Sequence, residues 1–302
     1  MNTLLNNFCN LSCDYCFANK VIEEEKQELK EIDKVIDFHK RSNKRQMRFI
    51  GGEPTLHSNF SEILLKAARN NMDIHVFTNG LYNSEYNYLF KLLDKEVNVS
   101  LLINYNKGKQ KESNLHQLKE YGVNFSLGIN FYKENQDYNY IIDTSKKYNL
   151  NRIRWSLVVP NSEEKKKKPA QYFKRHIPNI KQFIIDCEKN GINPHVDCNN
   201  IPICLMDEDA LRLISMISEN NLRSSTCDPV IDIKPNLDSI RCFAVGEQKV
   251  NIKDFRDEKE LIDHFNRNIQ REHLFDECEN CPTYKVKGKS CGCLAYREGV
   301  KK

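Results

Sequence analysis

The order of elements along the first 200 residues is the feature that most limits how this chain can fold. Six short runs rich in β-branched and aromatic residues alternate with amphipathic stretches of helical period. The runs are TLLNNF, QMRFIGG, DIHVFTNG, VNVSLLIN, NFSLGINFY and RIRWSLVV, and a seventh candidate lies near NPHVDCN. Such alternation favours right-handed βαβ crossovers and a parallel sheet. Because these units are too few to close an eight-fold barrel, we predict an α/β fold with a partial (β/α)6 TIM-like barrel.

The stretch SNFSEILLKAARNN illustrates the helical pattern between the strands. Ile63, Leu64, Ala67 and Ala68 fall on one face of the predicted helix, which is the face expected to pack on the sheet. Ser58 precedes this pattern and is predicted to cap the helix N-terminus.

Length and composition exclude several classes of protein. With 302 residues the chain can bury a full hydrophobic core, and no apolar run approaches the roughly 18 residues of a membrane span. The start MNTLLNNFCN lacks the basic and apolar regions of a secretory signal, so we expect a cytoplasmic protein without a membrane partner. A net charge of +4 is too small an excess to indicate nucleic-acid binding.

The cysteines indicate metal chemistry. In a reducing compartment, clustered cysteines are more typical of metal binding or catalysis than of disulfides. Cys9, Cys13 and Cys16 directly follow the first strand, and loops at the carboxyl ends of parallel strands are where ligands bind. Three thiolates can hold three irons of a [4Fe-4S] cluster and leave the fourth iron open, whereas a structural site is closed by four protein ligands. The spacing alone leaves zinc as an alternative occupant.

Three segments together resemble the radical S-adenosylmethionine (SAM) superfamily. CNLSCDYCF, with Tyr15 before its last cysteine, resembles the cluster-binding signature of that family. GGEPTL follows the second strand, where the family holds the amino group of SAM, and FTNG ends the third strand, as is usual there. The resemblance implies that SAM itself completes the open iron. One electron from the reduced cluster would then cleave SAM to methionine and a 5′-deoxyadenosyl radical, which abstracts hydrogen from a substrate.

The resemblance also implies a set of residues around SAM. They are Gly51, Gly52, Glu53, Pro54, Thr78, Asn79, Ser100, Asn130 and Arg154. Two glycines let the backbone approach a ligand closely, and Glu53 offers an acceptor for an ammonium group. The alternative for this segment is a plain tight turn, and the residues on the later strands equally fit ordinary polar strand positions. No catalytic acid or base is identified.

The sequence pattern changes after residue 205, where the strand–helix alternation becomes weaker and cysteines recur. The later cysteines are Cys227, Cys242, Cys278, Cys281, Cys291 and Cys293. We therefore predict two domains, a partial barrel over residues 1–205 and a small iron–sulfur domain over residues 206–302. The spacing around Cys242 resembles the auxiliary-cluster domain called SPASM, or its shorter form Twitch, with a zinc ribbon as the alternative. That family usually has glycine where this chain has Leu237, so we expect a remodelled turn there.

The number of auxiliary clusters is left at one or two. Four cysteines, from Cys227 to Cys281, complete one cluster, and two clusters would need a borrowed ligand because no cysteine follows Cys293. Cys204 is a candidate, although its apolar neighbours favour a buried core thiol. Cys187 and Cys198 lack partners at ligand spacing and are predicted to be structural.

The function that the resemblance implies is modification of a ribosomally made peptide, by crosslinking, epimerisation or oxidation. The expected partners are that precursor peptide and an electron donor of the flavodoxin or ferredoxin type. Two alternatives remain: a Twitch-type dehydrogenase of a small molecule such as an amino sugar, and a non-catalytic binding protein with structural metals. The intact GGEPTL segment argues against the non-catalytic alternative.

Overall fold

The computed structural model of this chain describes ten stretches of residues. They are 1–16, 28–109, 111–159, 169–197, 201–217, 230–242, 249–269, 274–282, 285 and 292–293. The chain forms two compact units. The first comprises Met1–Ser126 and Val230–Asn266, and the second comprises Leu127–Pro229 and Arg267–Lys302.

Strands and helices alternate as predicted over the first 200 residues. The strands are β1 (Asn2–Leu4), β2 (Gln46–Ile50), β3 (Asp73–Thr78), β4 (Val99–Asn104), β5 (Asn124–Phe131), β6 (Arg152–Leu157), β7 (Asn193–Val196), β8 (Asp232–Ile233), β9 (Asp238–Ile240) and β10 (Val250–Asn251). The helices are α1 (Leu29–Arg41), α2 (Phe60–Arg69), α3 (Glu85–Leu93), α4 (Glu112–Tyr121), α5 (Asn139–Lys147), α6 (Pro169–Lys189), α7 (Glu208–Ile217) and α8 (Glu258–Ile269). The six predicted strands and the seventh candidate are all confirmed.

The first unit is built on a largely parallel sheet. Strands β1 to β4 lie side by side in sequence order and all run parallel. On the other edge of β1, strand β8 pairs parallel, and β9 and β10 follow it as antiparallel neighbours. These last strands come after residue 205, yet they belong to the first unit by contact. The division at residue 205 follows the sequence pattern and stays a prediction.

One face of this sheet carries the core of the first unit. Along β3, Ile74 and Val76 are buried while His75 and Phe77 lie on the opposite face. Helix α2 packs on β3 and buries Phe60, Ile63, Leu64 and Ala67. The side chains thus follow the two-residue period of a strand and the 3.6-residue period of a helix.

Helix α2 begins one residue later than the sequence suggested. Its N-cap is Asn59 and not Ser58, which instead donates a hydrogen bond from its hydroxyl to Asn59 Oδ1 at 3.2 Å. The chain turns before the helix through a hydrogen bond from Phe60 N–H to His57 O at 3.0 Å, and this turn shifts the first helical residue. Of the predicted core positions, Ala68 is only half-buried.

The second unit contains the parallel strands β5, β6 and β7 in sequence order. Its core is aromatic: Phe131 of β5 contacts Trp155 of β6 and Phe183 of α6 edge to face. Tyr138 packs against the same Phe183 ring at 5.3 Å between centroids. Helix α6 therefore covers one face of these strands.

Leu237 has an unusual backbone conformation in the turn between β8 and β9. In the hairpin between β8 and β9, the Leu237 N–H donates to Lys234 O at 2.9 Å, and Leu237 has a φ of 69°. That is the left-handed conformation that glycine adopts readily, and for a leucine it costs about 1–3 kcal/mol. Whether this turn is remodelled relative to the SPASM family stays a prediction. The side chain is fully buried, and this burial offsets the backbone cost.

Replacing Leu237 with glycine is expected to lower the free energy of unfolding by about 1–3 kcal/mol, because loss of a buried leucine costs more than the backbone strain it relieves. Urea denaturation of the cluster-free protein measures this. Asn149→Gly is the matched control, since Asn149 has a φ of 51° but is exposed, and it should be neutral or slightly stabilising. A Leu237→Gly protein that resists urea better than the parent would show that strain outweighs burial.

Candidate cluster and cofactor site

The loop after β1 carries the three closely spaced cysteines. Cys9 is exposed, and Cys13 and Cys16 are half-buried. The Cys16 N–H donates to Cys13 O at 2.9 Å, which closes a turn between these two residues. The Leu11 N–H donates to Cys9 Sγ at 3.4 Å. All three thiols thus lie on one short loop at the carboxyl end of β1, the edge where the sequence places the chemistry.

Gly51 and Gly52 pass directly beside the backbone that leads into this loop. Gly52 N–H donates to Asn6 O at 3.0 Å, and Glu53 N–H donates to Phe8 O at 2.6 Å. A Cβ on Gly51 would lie 2.4 Å from Asn6 O, and one on Gly52 would lie 2.1 Å from Phe8 O. Only glycine fits such contacts. The close approach is to the protein's own backbone, and it brings the GGEP segment against the cysteine loop.

Glu53 is a buried carboxylate with four protein donors. Its side chain is 1% exposed. Oε1 accepts from Thr55 Oγ1 at 2.7 Å, from Thr78 Oγ1 at 2.8 Å and from Thr55 N–H at 3.3 Å. Oε2 accepts from Asn79 N–H at 2.7 Å. The carboxylate therefore ties the 3-10 turn Pro54–Leu56 to the carboxyl end of β3.

The environment of Glu53 acts on its pKa in two opposing ways. Burial raises the pKa of this carboxyl, and the hydrogen bonds from Asn79, Thr55 and Thr78 partly offset that rise. Pro54 is buried at the first position of the 3-10 turn. The predicted contact between Glu53 and the SAM ammonium group stays a prediction. The hydrogen bonds give Glu53 a structural role, because they join the Pro54–Leu56 turn to the end of β3.

Asn79 links Glu53 to the cysteine loop. Its backbone N–H binds the Glu53 carboxylate, and its side-chain Nδ2 donates to Asn10 Oδ1 at 2.7 Å and to Cys9 Sγ at 3.8 Å. Its Oδ1 accepts from Leu81 N–H at 2.8 Å. Sequence reasoning missed Asn10, for which the only signal is its place directly after the first cysteine.

The cysteine thiols are electrostatically coupled. Burial raises the pKa of Cys9 and of Cys13. The charge of Glu53 raises the pKa of Cys9 further, and neighbouring Cys16 does the same at Cys13. The thiols of Cys9 and Cys13 therefore favour the protonated form until a metal binds, since metal binding releases the proton from a thiol ligand.

These residues fit a [4Fe-4S] cluster. Thiolates are the ligands that iron–sulfur clusters take, and Cys9 Sγ already accepts two N–H donors of the kind that stabilise a bound thiolate. Among the residues that the structure describes, no three His, Cys, Asp or Glu side chains converge on the position of a single ion. A cluster does not require that convergence, because each cysteine binds a different iron atom.

Ser100 lies nearer the amino end of its strand than the other predicted SAM residues of the first unit. Its Oγ and His75 Nδ1 are 2.6 Å apart, and the two residues are paired in the register of β3 and β4. Thr78 pairs with Ile103, three residues further along β4. At roughly 3.3 Å per residue, Ser100 is about 10 Å from that level, toward the amino end of the strands. Its contact with SAM stays a prediction.

Asn104 was missed by sequence reasoning. It is the last residue of β4, at the same edge of the sheet as Asn79, and it is half-buried. Its Oδ1 is buried without a hydrogen-bond partner in the described part of the chain. A buried acceptor left unpaired costs about 1–3 kcal/mol, so this atom is suited to a ligand donor. The sequence signal was a polar residue ending an apolar strand.

Asn130 and Arg154 are neighbours in the second unit. Asn130 Oδ1 accepts from Ser156 Oγ at 2.6 Å and from Arg154 Nη1 at 3.4 Å. Arg154 Nη2 also pairs with Asp197, directly after β7, which sequence reasoning missed. Arg154 Nε is buried with no hydrogen-bond partner among the described residues. The predicted contacts of Asn130 and Arg154 with SAM stay predictions.

The later cysteines are described only in part. In the first unit, Cys242 is half-buried just after β9. In the second, Cys278 and Cys281 are half-buried and joined by a hydrogen bond from Cys281 N–H to Cys278 O at 2.9 Å, and Cys293 is buried. The predicted ligands Cys227 and Cys291 lie outside the described residues, as does Cys198. The auxiliary ligand set therefore stays a prediction.

The two remaining cysteines behave differently. Cys187 is fully buried on α6, and burial raises the pKa of its thiol to about 12, as a structural thiol requires. Cys204 is exposed, so the expectation of a buried core thiol is wrong. It lies in the 3-10 turn Ile203–Leu205, where the preceding Ile201 and Pro202 are buried instead.

No described helix is long and apolar enough to cross a membrane.

Comparison with known proteins identifies the barrel region. The family model described as the radical SAM superfamily matches residues 3–185. The 7,8-dihydro-6-hydroxymethylpterin dimethyltransferase of Methanocaldococcus jannaschii is 37% identical over 109 residues, which are 33% of this chain and 21% of that protein. The radical SAM cyclopropyl synthase TigE of Paramaledivibacter caminithermalis is 22% identical over 230 residues, 63% of this chain and 46% of that protein. The chain therefore spans less than half the length of these relatives.

Solved structures confirm the fold. Streptococcus suis SuiB bound to S-adenosylmethionine matches 99% of this chain with a TM-score of 0.63 and 13% identity, and the match covers 72% of that chain. SuiB bound to its precursor peptide SuiA matches 99% of this chain with a TM-score of 0.64 and 15% identity, over 71% of that chain. The predicted α/β fold with a largely parallel, unclosed barrel is confirmed by this likeness.

Glu53→Gln is expected to lower the free energy of unfolding of the cluster-free protein by about 1–3 kcal/mol, because a carboxamide NH2 would face protein donors that now bind a carboxylate. Urea denaturation measures this, with Glu120→Gln on the exposed side of α4 as the control, where the change should stay within about 0.5 kcal/mol. Unchanged stability together with weaker SAM binding would contradict the structural role and favour direct contact with the SAM ammonium.

Proposed function

Because this chain belongs to the radical SAM superfamily, we propose that it cleaves SAM reductively on a [4Fe-4S] cluster held by Cys9, Cys13 and Cys16, and abstracts hydrogen from a peptide. The observation that carries the site is the hydrogen-bonded path from Cys9 through Asn79 to Glu53. This path joins the three segments that match the family in sequence, which supports the proposal that they serve a single site.

The cluster, when bound, supplies the electron that cleaves SAM. The three thiolates of one loop would hold it, and the close backbone approach of Gly51 and Gly52 fixes that loop beside the end of β2. Asn104 Oδ1, an acceptor without a protein partner among the described residues, is suited to a hydroxyl or ammonium group of SAM. Arg154 Nε is a buried donor that also has no hydrogen-bond partner among the described residues, and this supports the proposed contact of Arg154 with the SAM carboxylate.

A peptide is the substrate class that the comparisons favour. SuiB, whose fold matches 99% of this chain over 71% of its own length, is described in complex with a precursor peptide. We propose the same class of partner here, with crosslinking, epimerisation or oxidation as the reaction and a flavodoxin- or ferredoxin-type protein as the electron donor. The proposed auxiliary domain, residues 206–302, would hold one or two further clusters of the SPASM or Twitch type.

A small-molecule substrate is the second candidate. The relative with the highest identity quoted above is named for a reaction on a pterin, although the match covers only 21% of that protein. A Twitch-type dehydrogenase of an amino sugar belongs to the same class. The third candidate, a non-catalytic protein with structural metals, is disfavoured because a structural site is closed by four protein ligands, whereas the loop after β1 offers three cysteines.

An anaerobic preparation tests these candidates. The reconstituted protein should be brown, and with dithionite it should convert SAM to methionine and 5′-deoxyadenosine. Co-expression with each short open reading frame beside the gene, followed by mass spectrometry, then tests for a peptide product. A colourless protein that holds only zinc and leaves SAM intact would contradict the enzyme proposal.

Replacing Cys9, Cys13 and Cys16 together with alanine is expected to abolish 5′-deoxyadenosine formation while iron remains in residues 206–302, since the two cysteine sets are separate in sequence. Iron and sulfide analysis beside the deoxyadenosine assay measures both. Cys187→Ala is the control and should keep SAM cleavage, because Cys187 is buried on α6. Persistent cleavage in the triple variant would remove the cluster assignment.

Replacing Cys291 and Cys293 with serine is expected to separate the one-cluster and two-cluster proposals. With one auxiliary cluster held by Cys227, Cys242, Cys278 and Cys281, Mössbauer-quantified iron should stay nearly intact. With two clusters, about half of the auxiliary iron should be lost, on the basis of four irons per cluster. Zinc in place of iron after anaerobic preparation without added zinc would contradict both.

A further inference from the structure

The side chain of Asn79 is fixed in one orientation. It is 8% exposed, and its Oδ1 accepts the Leu81 N–H at 2.8 Å. An amide that accepts on one side must present its NH2 group on the other. Of the two N–H groups, one donates to Asn10 Oδ1 at 2.7 Å and the other points to Cys9 Sγ at 3.8 Å. The amide cannot flip without breaking both the Leu81 and the Asn10 hydrogen bonds.

Asn10 holds the side chain of Asn79 and Glu53 holds its backbone. Asn10 Nδ2 donates to Leu81 O at 2.8 Å, so Asn10 and Leu81 form a closed ring of hydrogen bonds with Asn79. The Glu53 carboxylate holds the backbone N–H of Asn79 at 2.7 Å. The donor that reaches Cys9 is therefore positioned before any metal binds.

Such a donor has a defined effect on an iron–sulfur cluster. Reduction adds negative charge that is shared with the cysteine sulfurs, and N–H groups directed at those sulfurs stabilise the reduced form and raise the reduction potential. The charge of Glu53 acts in the opposite direction, since it is close enough to Cys9 to disfavour negative charge there. Asn79 lies between Glu53 and Cys9, since its backbone binds the Glu53 carboxylate and its side chain reaches Cys9 Sγ.

We propose that Asn79 is a positioning residue that raises the reduction potential of the SAM-binding cluster through its N–H···S hydrogen bond to Cys9. This inference rests on the proposed function, because it requires the cluster on Cys9, Cys13 and Cys16. It goes further in assigning to the residue after β3 a control over electron transfer, separate from any contact with SAM.

The test uses the reconstituted full-length enzyme and measures midpoint potential by redox titration monitored by electron paramagnetic resonance. Asn79→Leu removes the N–H donors with a side chain of similar size, and Asn79→Asp removes them while keeping an acceptor for Leu81. Both midpoints should shift to more negative potential, and that of Asn79→Asp further because it adds a charge. The signal that changes when SAM is added belongs to this cluster, and signals from auxiliary clusters should not move.

Asn114 provides the matched control. It is a buried asparagine whose Nδ2 donates to Gly80 O at 3.0 Å and Tyr82 O at 3.1 Å, so it supports the same loop without reaching a sulfur. Asn114→Leu should leave the midpoint at the parent value. If Asn114→Leu shifts the midpoint as far as Asn79→Leu, general loop damage explains the effect and the inference is wrong.

The outcomes separate this inference from the proposed function. If the parent protein forms no cluster or leaves SAM intact, the proposed function fails and the inference fails with it. If the parent cleaves SAM but both Asn79 variants, with full iron content, titrate at the parent midpoint, only the inference fails. If Asn79→Leu loses its cluster, Asn79→Ala decides, because it removes the N–H donors without adding charge or bulk, and an Asn79→Ala protein with full iron content that titrates at the parent midpoint would overturn the inference.

Discussion

A carboxylate taken out of water costs several kcal/mol unless donors replace the lost hydration, and at Glu53 the chain supplies those donors from one local and one distant segment. Thr55 lies two residues away, whereas Thr78 and Asn79 belong to the end of the next strand. Burying Glu53 therefore requires β2 and β3 to end at the same level. The parallel register that places Phe49 opposite Val76 meets this requirement.

The same constraint extends to the cysteine loop. Backbone contacts of Gly51 and Gly52 with the chain after β1 leave no room for a Cβ, so three successive parallel strands have their exits joined by hydrogen bonds. Parallel strands bring their carboxyl ends to one edge of the sheet, which is why loops 25 or more residues apart can share a site. The sheet supplies the rigid support, and short loops carry the chemistry.

The features of the fold and site that the sequence predicts are those that depend on neighbouring residues, and the features that it does not predict depend on contacts between distant ones. The seven strands and the cysteine loop are encoded locally, in two-residue alternation and in ligand spacing. The left-handed Leu237 was not predictable, because its burial offsets a backbone cost that the local sequence shows as unfavourable. The level of Ser100 in the sheet and the unpaired Asn104 Oδ1 depend on strand register, which the sequence leaves open by several residues.

An asparagine suits this edge of the sheet because its side-chain amide is a hydrogen-bond donor without a charge. A cluster that gains an electron next to a buried carboxylate needs donors without added positive charge, since a lysine or arginine there would pair with Glu53 instead. Asn79 satisfies this condition because its backbone binds the carboxylate while its side chain faces the sulfur. One residue thus separates Glu53 from Cys9, and in the proposed enzyme the buried network that stabilises the loop would also shape the electrostatic field at the cluster.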